Sequence, residues 1–168
     1  MNNLIFLNPI ETISGKEKFL ESLSFEDFMD FQDPYTLEMI IKEEWGDFGK
    51  IYLSKDLEGK NIKDYIKSEI AFHKPEWIIA VGESATGALP LKNQKKILLN
   101  PQVNIKELEK LNLSDFDIEN TYGLFDGRHK KDYEMFSSFF NNADLFEDEE
   151  NLDIFTFDDF IRDIMNES

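Results

Sequence analysis

The chain has 168 residues, of which 35 are acidic and 18 are lysine or arginine, for a formal charge of −17. A nucleic-acid binder needs a basic face to displace counterions, and none is visible in that balance; an anionic membrane surface is disfavoured for the same reason. With no cysteine, disulfides and thiolate metal sites are excluded too, which fits a reducing cytoplasm.

The length suits one domain, residues 1–168, with a core of its own. The start, Met1-Asn2-Asn3-Leu4-Ile5-Phe6-Leu7, has no basic run ahead of a long apolar one, so neither a signal peptide nor a membrane span is expected. Leu4 to Leu7 reads as a first strand, ended by Asn8-Pro9. Helical spacing follows from Gly15 to Leu23 and again from Ser24 to Phe31, where phenylalanines stand at 25, 28 and 31. Asp33-Pro34 is a helix start, with Gly46 and Gly49 closing that helix after Trp45. Lys50 to Leu53 is a second strand and Asp56 to Gly59 a loop. Asn61 caps a helix carrying Ile62, Tyr65, Ile66 and Ile70, ended by Lys74-Pro75.

Trp77-Ile78-Ile79-Ala80-Val81 is an unbroken apolar run, the pattern of a central parallel strand covered on both faces. A short helical segment cut off by Pro90 follows it, then a strand from Lys96 to Leu99 ended by Asn100-Pro101. Ile105 to Leu111 is a short helix and Thr121 to Phe125 a strand ended by Asp126-Gly127. Lys131 to Phe140 is a helix, Ala143 to Phe146 a strand, and Thr156 to Met165 a final helix after an acidic loop. Strands alternating with helices predict a three-layer α/β sandwich with a mainly parallel sheet.

The chemistry centres on Gly82-Glu83-Ser84-Ala85-Thr86-Gly87. Gly82 allows a sharp turn after the central strand, and Ser84 then stands at the carboxyl edge of the sheet, where open α/β sheets carry their sites. A nucleophile elbow reads G-x-S-x-G, because the turn leaves no room for side chains beside the serine. Here the second glycine is displaced by one position. The plain alternative is a strand-to-helix turn with Ser84 as N-cap.

Taken together, the strand-Gly-x-Ser turn, the Lys-Asp-Leu loop at 55–57, the Ile97-Leu98-Leu99-Asn100-Pro101 run and the strand ending Phe125-Asp126 resemble the small single-domain bacterial α/β-hydrolases, the YqiA-type esterases. The resemblance spans Ile51 to Leu57, Ile78 to Val103 and Tyr122 to Ile164. It implies a minimal α/β-hydrolase fold, no cofactor, Ser84 as nucleophile and Asp126 as the acid of the triad. It also implies an oxyanion hole from the Ala85 N–H and an N–H near Asn8 to Ile10. Several positions depart from the pattern. Pro9 stands where the first strand should end in His-Gly, and proline has no N–H to donate. Thr86 replaces the elbow glycine. The loop before the last helix, Phe146-Glu147-Asp148-Glu149-Glu150-Asn151-Leu152, lacks the base histidine.

Only His73 and His129 exist. His73 lies at a helix C-terminus before the central strand, where a structural role suffices. His129 follows Asp126 by three residues on the correct edge of the sheet and is the one candidate base. Carboxylates such as Glu149 or Glu150 are weak bases for a serine hydroxyl. The acidic run 144–153 lacks EF-hand spacing, so no metal site is expected. Two readings follow. One is a diverged α/β-hydrolase-fold protein without a complete Ser-His-Asp triad, which binds a basic protein partner or a small acyl ligand. The other is an active serine esterase built on Ser84, Asp126 and His129.

Overall fold

A computed structural model describes residues 2–8, 45–148 and 158–167. Six strands form one sheet: β1 (Asn3–Asn8), β2 (Lys50–Leu53), β3 (Trp77–Gly82), β4 (Lys95–Leu99), β5 (Thr121–Asp126) and β6 (Asn142–Phe146). Their order is β2-β1-β3-β4-β5-β6, and every neighbouring pair is parallel. The expected α/β architecture is therefore present, with the sheet parallel throughout. The helices expected at 15–31 and 33–45 lie outside the described residues, apart from Trp45.

Side-chain alternation along the strands decides what each face buries. Leu4, Phe6, Ile78, Ala80, Leu98 and Phe125 turn to one face, and Ile5, Leu7, Trp77, Ile79, Ile97, Leu99 and Leu124 to the other. The first face is packed by α1 (Ser54–Leu57), α2 (Ile62–His73), α3 (Glu83–Ala88), α4 (Ile105–Lys110) and α6 (Lys130–Ser137), through residues such as Leu57, Ile66, Ala85, Leu108 and Phe136. Against the second face lie Trp45 and three residues of α7 (Asp158–Glu167), namely Ile161, Ile164 and Met165. The Arg162 guanidinium of α7 lies 4.8 Å from the Trp45 ring and 4.4 Å from that of Phe48, so cation–π contact ties this helix to the segment before β2. No described helix is long and apolar enough to cross a membrane.

Local signals account for most boundaries. The Asn61 side chain accepts from the Asp64 N–H at 3.0 Å and starts α2, while Lys74, at φ 47°, ends it by donating to the Ile70 carbonyl. Gly49 does more than follow a helix: a Cβ there would sit 2.0 Å from the Asn3 carbonyl oxygen, so its absence lets β2 come alongside β1. Three elements run against the sequence reading. The 54–57 segment is a one-turn helix, closed by the Leu53 N–H donating to Asp56 at 2.8 Å. An unexpected helix, α5 (Asp115–Asn120), is started by a reciprocal Ser114–Asp117 cap. A 3₁₀ turn spans Gly127–His129.

Lys96 is the anomaly of the core. It shares the helix-covered face with Leu98 and is 1 % exposed. Its ammonium donates to the carbonyls of Ala88, Leu89 and Leu91, so it caps the end of α3 from inside the sheet. Burial lowers its pKa from 10.5 to about 7, against an upward pull from the Asp117 carboxylate. A depressed lysine releases its proton in the folded state first, so stability rises with pH between about 7 and 10.5. Urea denaturation should show wild type gaining on Lys96→Met through that window, by up to about 1.4 kcal/mol per pH unit. A flat difference would mean the amine is not titrating there.

Candidate functional site

The strand order reverses around β1, which pairs β2 on one side and β3 on the other. In open α/β sheets the crevice at such a switch point, beyond the carboxyl ends of the strands, is where ligands bind. Asn8 and Gly82 face each other there at the ends of β1 and β3. Asn100 and Asp126 close the adjacent β4 and β5. The backbone of Asn8 is thus beside the turn, whereas Ile10 lies outside the described residues.

The apex of the turn is Gly82, two positions earlier than the elbow reading puts it. Gly82 has φ 60° and ψ −120°, a combination that glycine adopts without a Cβ clash. It is also the N-cap of α3, so Ser84 is neither the apex nor the cap. Ser84 falls in the first turn of α3 and is 0 % exposed. Its hydroxyl has no hydrogen-bond partner. Ala85 is equally buried, with its methyl in the core and its carbonyl accepting from Leu89 at 3.0 Å. Thr86, where the elbow pattern has glycine, donates to the Gly82 carbonyl and accepts from the Gln102 N–H at 2.9 Å, tying α3 to the segment after β4.

Asp126 is completely buried and fully engaged. Its carboxylate accepts from the Arg128 N–H at 2.9 Å, from the Arg128 guanidinium at 3.3 Å and from the Asn100 amide at 3.0 Å. The Asp126 N–H donates in return to the Asn100 side-chain oxygen at 3.0 Å. Asn100 holds φ 52° to make this reciprocal pair, a left-handed conformation that asparagine tolerates better than most residues. The pair locks the ends of β4 and β5 together and fixes the 3₁₀ turn.

His129 stands between two carboxylates. One ring nitrogen, Nδ1, is 3.4 Å from Asp132, whose other oxygen accepts from the Val103 N–H. The second, Nε2, is 4.0 Å from Asp126, too far for a hydrogen bond. The structure thus brings Asp126 and His129 within 4.0 Å of each other, and the Ser84 hydroxyl hydrogen-bonds to neither. No step of the proton relay is formed, and a fully buried hydroxyl offers no face to an incoming acyl carbon. His73 is at the other end of the sheet, paired with Glu69 at 3.3 Å within α2. Among the described residues no group of three His, Cys, Asp or Glu side chains is placed to hold a metal ion.

Comparison with protein-family models, curated proteins and solved structures finds no match for this chain.

Two stability outcomes follow from this geometry. Ser84→Ala should raise unfolding free energy by about 1 kcal/mol, because it removes an unpaired buried hydroxyl and improves helix propensity. A loss of stability in urea denaturation would show that the hydroxyl has a partner. Asp126→Ala should cost about 2–4 kcal/mol by stranding the Asn100 amide and the Arg128 N–H, with Asp126→Asn costing less.

Proposed function

We propose that this protein is a binding or interaction protein on an α/β scaffold, diverged from an α/β-hydrolase ancestor and without a working triad. The observation that carries the reading is the Ser84 hydroxyl: completely buried and without a hydrogen-bond partner. A serine nucleophile needs a base within about 3 Å and an open approach to the substrate. Supporting it, the Asp126 carboxylate is spent on Asn100 and Arg128, and the His129 ring lies between Asp126 and Asp132. The charge of −17 favours a basic protein as the main partner, since complementary fields speed encounter and select against acidic competitors. A small acyl ligand at the switch-point crevice is the lesser possibility, resting on the hydrolase resemblance.

The protein should neither react with a fluorophosphonate probe nor hydrolyse p-nitrophenyl butyrate above the level of its Ser84→Ala variant. Labelling of the folded wild type that disappears in Ser84→Ala would restore the esterase reading. In parallel, a fluorescent lysine-rich peptide should bind and then weaken as salt rises, because the attraction is screened beyond about 10 Å at 0.1 M. No binding at low salt would remove the basic partner.

A further inference from the structure

The run from residue 111 to residue 127 carries four acids and no lysine or arginine. Its helix, α5, is held from the inside. The Asn93 N–H donates to the Asp117 carboxylate at 2.7 Å, and toward the end of the helix the Asn142 amide donates to the Glu119 carbonyl at 2.6 Å. At 3.6 residues per turn, Asp115, Phe116 and Glu119 fall within about 100° of one another, on the side away from buried Asp117 and half-buried Ile118. Asp115 and Glu119 are exposed, and beside them the Phe116 ring is 42 % exposed. Among the described residues Asp115 and Glu119 form no ion pair and Phe116 no ring contact. Lys92 reaches the start of this segment, but its ammonium donates to the Asn112 carbonyl at 2.8 Å.

Two features of this face call for a cation. Asp115 and Glu119 are like charges one turn apart, and Glu119 stands in the last turn, where the helix dipole disfavours a carboxylate. Glu119 is also one turn from Phe116, so a cation drawn to the carboxylates has an aromatic ring beside it to lie on. We propose that the outer face of α5 receives the basic partner, with an arginine or lysine side chain over the Phe116 ring and its charge against Glu119 and Asp115. The inference rests on the reading that the partner is basic and gives that partner its place. Acidity alone does not choose a place on a chain of charge −17; the ring does. Phe72, at 79 % exposed, is more open, but Lys63, Lys67 and Lys74 stand along or at the end of its helix, a field that disfavours a cation. Because its inner side is already tied to Asn93 and Asn142, α5 offers its face with little ordering left to do on contact. α5 leads directly into β5, so the face lies at the amino edge of the sheet, away from the switch-point crevice, and does not depend on Ser84.

The test is fluorescence anisotropy with a labelled arginine-rich peptide. Wild type should bind it at low salt. Phe116→Ala should weaken binding by about threefold, and Asp115→Asn/Glu119→Gln by about fivefold. Two controls should shift affinity less than about twofold: Phe72→Ala, and Asp163→Asn/Glu167→Gln on exposed positions of α7, against the other face of the sheet. The second control changes the net charge as much as the α5 pair does. All substituted side chains are at exposed positions, and circular dichroism should show every variant folded. Wild-type binding that the α5 variants leave intact, or that the controls weaken equally, would overturn the proposal and leave the basic partner standing. No binding by wild type at low salt would remove both. Sedimentation velocity is run on the same samples. A wild-type dimer that Phe116→Ala dissolves would also overturn the proposal, by assigning the face to a second copy of the chain.

Discussion

A polar group buried in the interior must find its partner inside the protein, since bulk water cannot supply one. Three buried polar groups of this protein meet that demand in different ways. Lys96 meets it with three backbone carbonyls at the end of α3. Asp126 meets it with Asn100 and Arg128. Ser84 does not meet it at all. The first two are parts of the framework, joining β4 to α3 and β4 to β5. The third is a residue whose side chain the fold merely tolerates.

The same contrast separates the architecture from the chemistry. A catalytic serine is useful because the turn holding it pushes the hydroxyl outward, and here that outward position belongs to Gly82, which has nothing to present. The residues around the turn are instead engaged with one another: Thr86 with Gly82 and Gln102, Asn100 with Asp126, Asp132 with Val103. These bonds stitch the carboxyl edge of β3, β4 and β5 into a rigid rim. A rigid rim suits recognition of a preformed surface, at little cost in ordering on contact.

All six strands were legible in the sequence because apolar runs such as Trp77 to Ala80 and Ile97 to Leu99 are bounded by Gly, Asn and Pro. α2 was legible because Asn61 and the Ile62-Ile66-Ile70 spacing agree with each other. α5 was missed, since six residues give too little periodicity; its one signal is Ser114 followed three positions later by Asp117, a reciprocal cap. The one-turn helix at 54–57 and the 3₁₀ turn are set by Asp56 and Asp126 bonding local N–H groups, which reads in sequence as ordinary loop chemistry. At the site, Gly82 was rightly identified as the turning residue. Which residue takes the apex depends on where α3 begins, and a shift of two positions turns an outward serine into an inward one. Lys96 carried only a weak signal: it follows Lys95 at the start of the strand, and only its turning inward with Leu98 makes it require acceptors nearby.

The clamp of Arg162 between Trp45 and Phe48 bears on how the polypeptide acquires its shape as it is made. Strands β1 to β6 are all translated before residue 158, yet part of the lining over Ile5, Ile79, Ile97 and Leu99 comes from Ile161, Ile164 and Met165. A nascent chain lacking those residues lacks that part of the cover on a nearly finished parallel sheet, a form more open to capture by chaperones or to clumping with its siblings. Arrival of the arginine beneath its two rings is then the late event that adds α7 to the second layer.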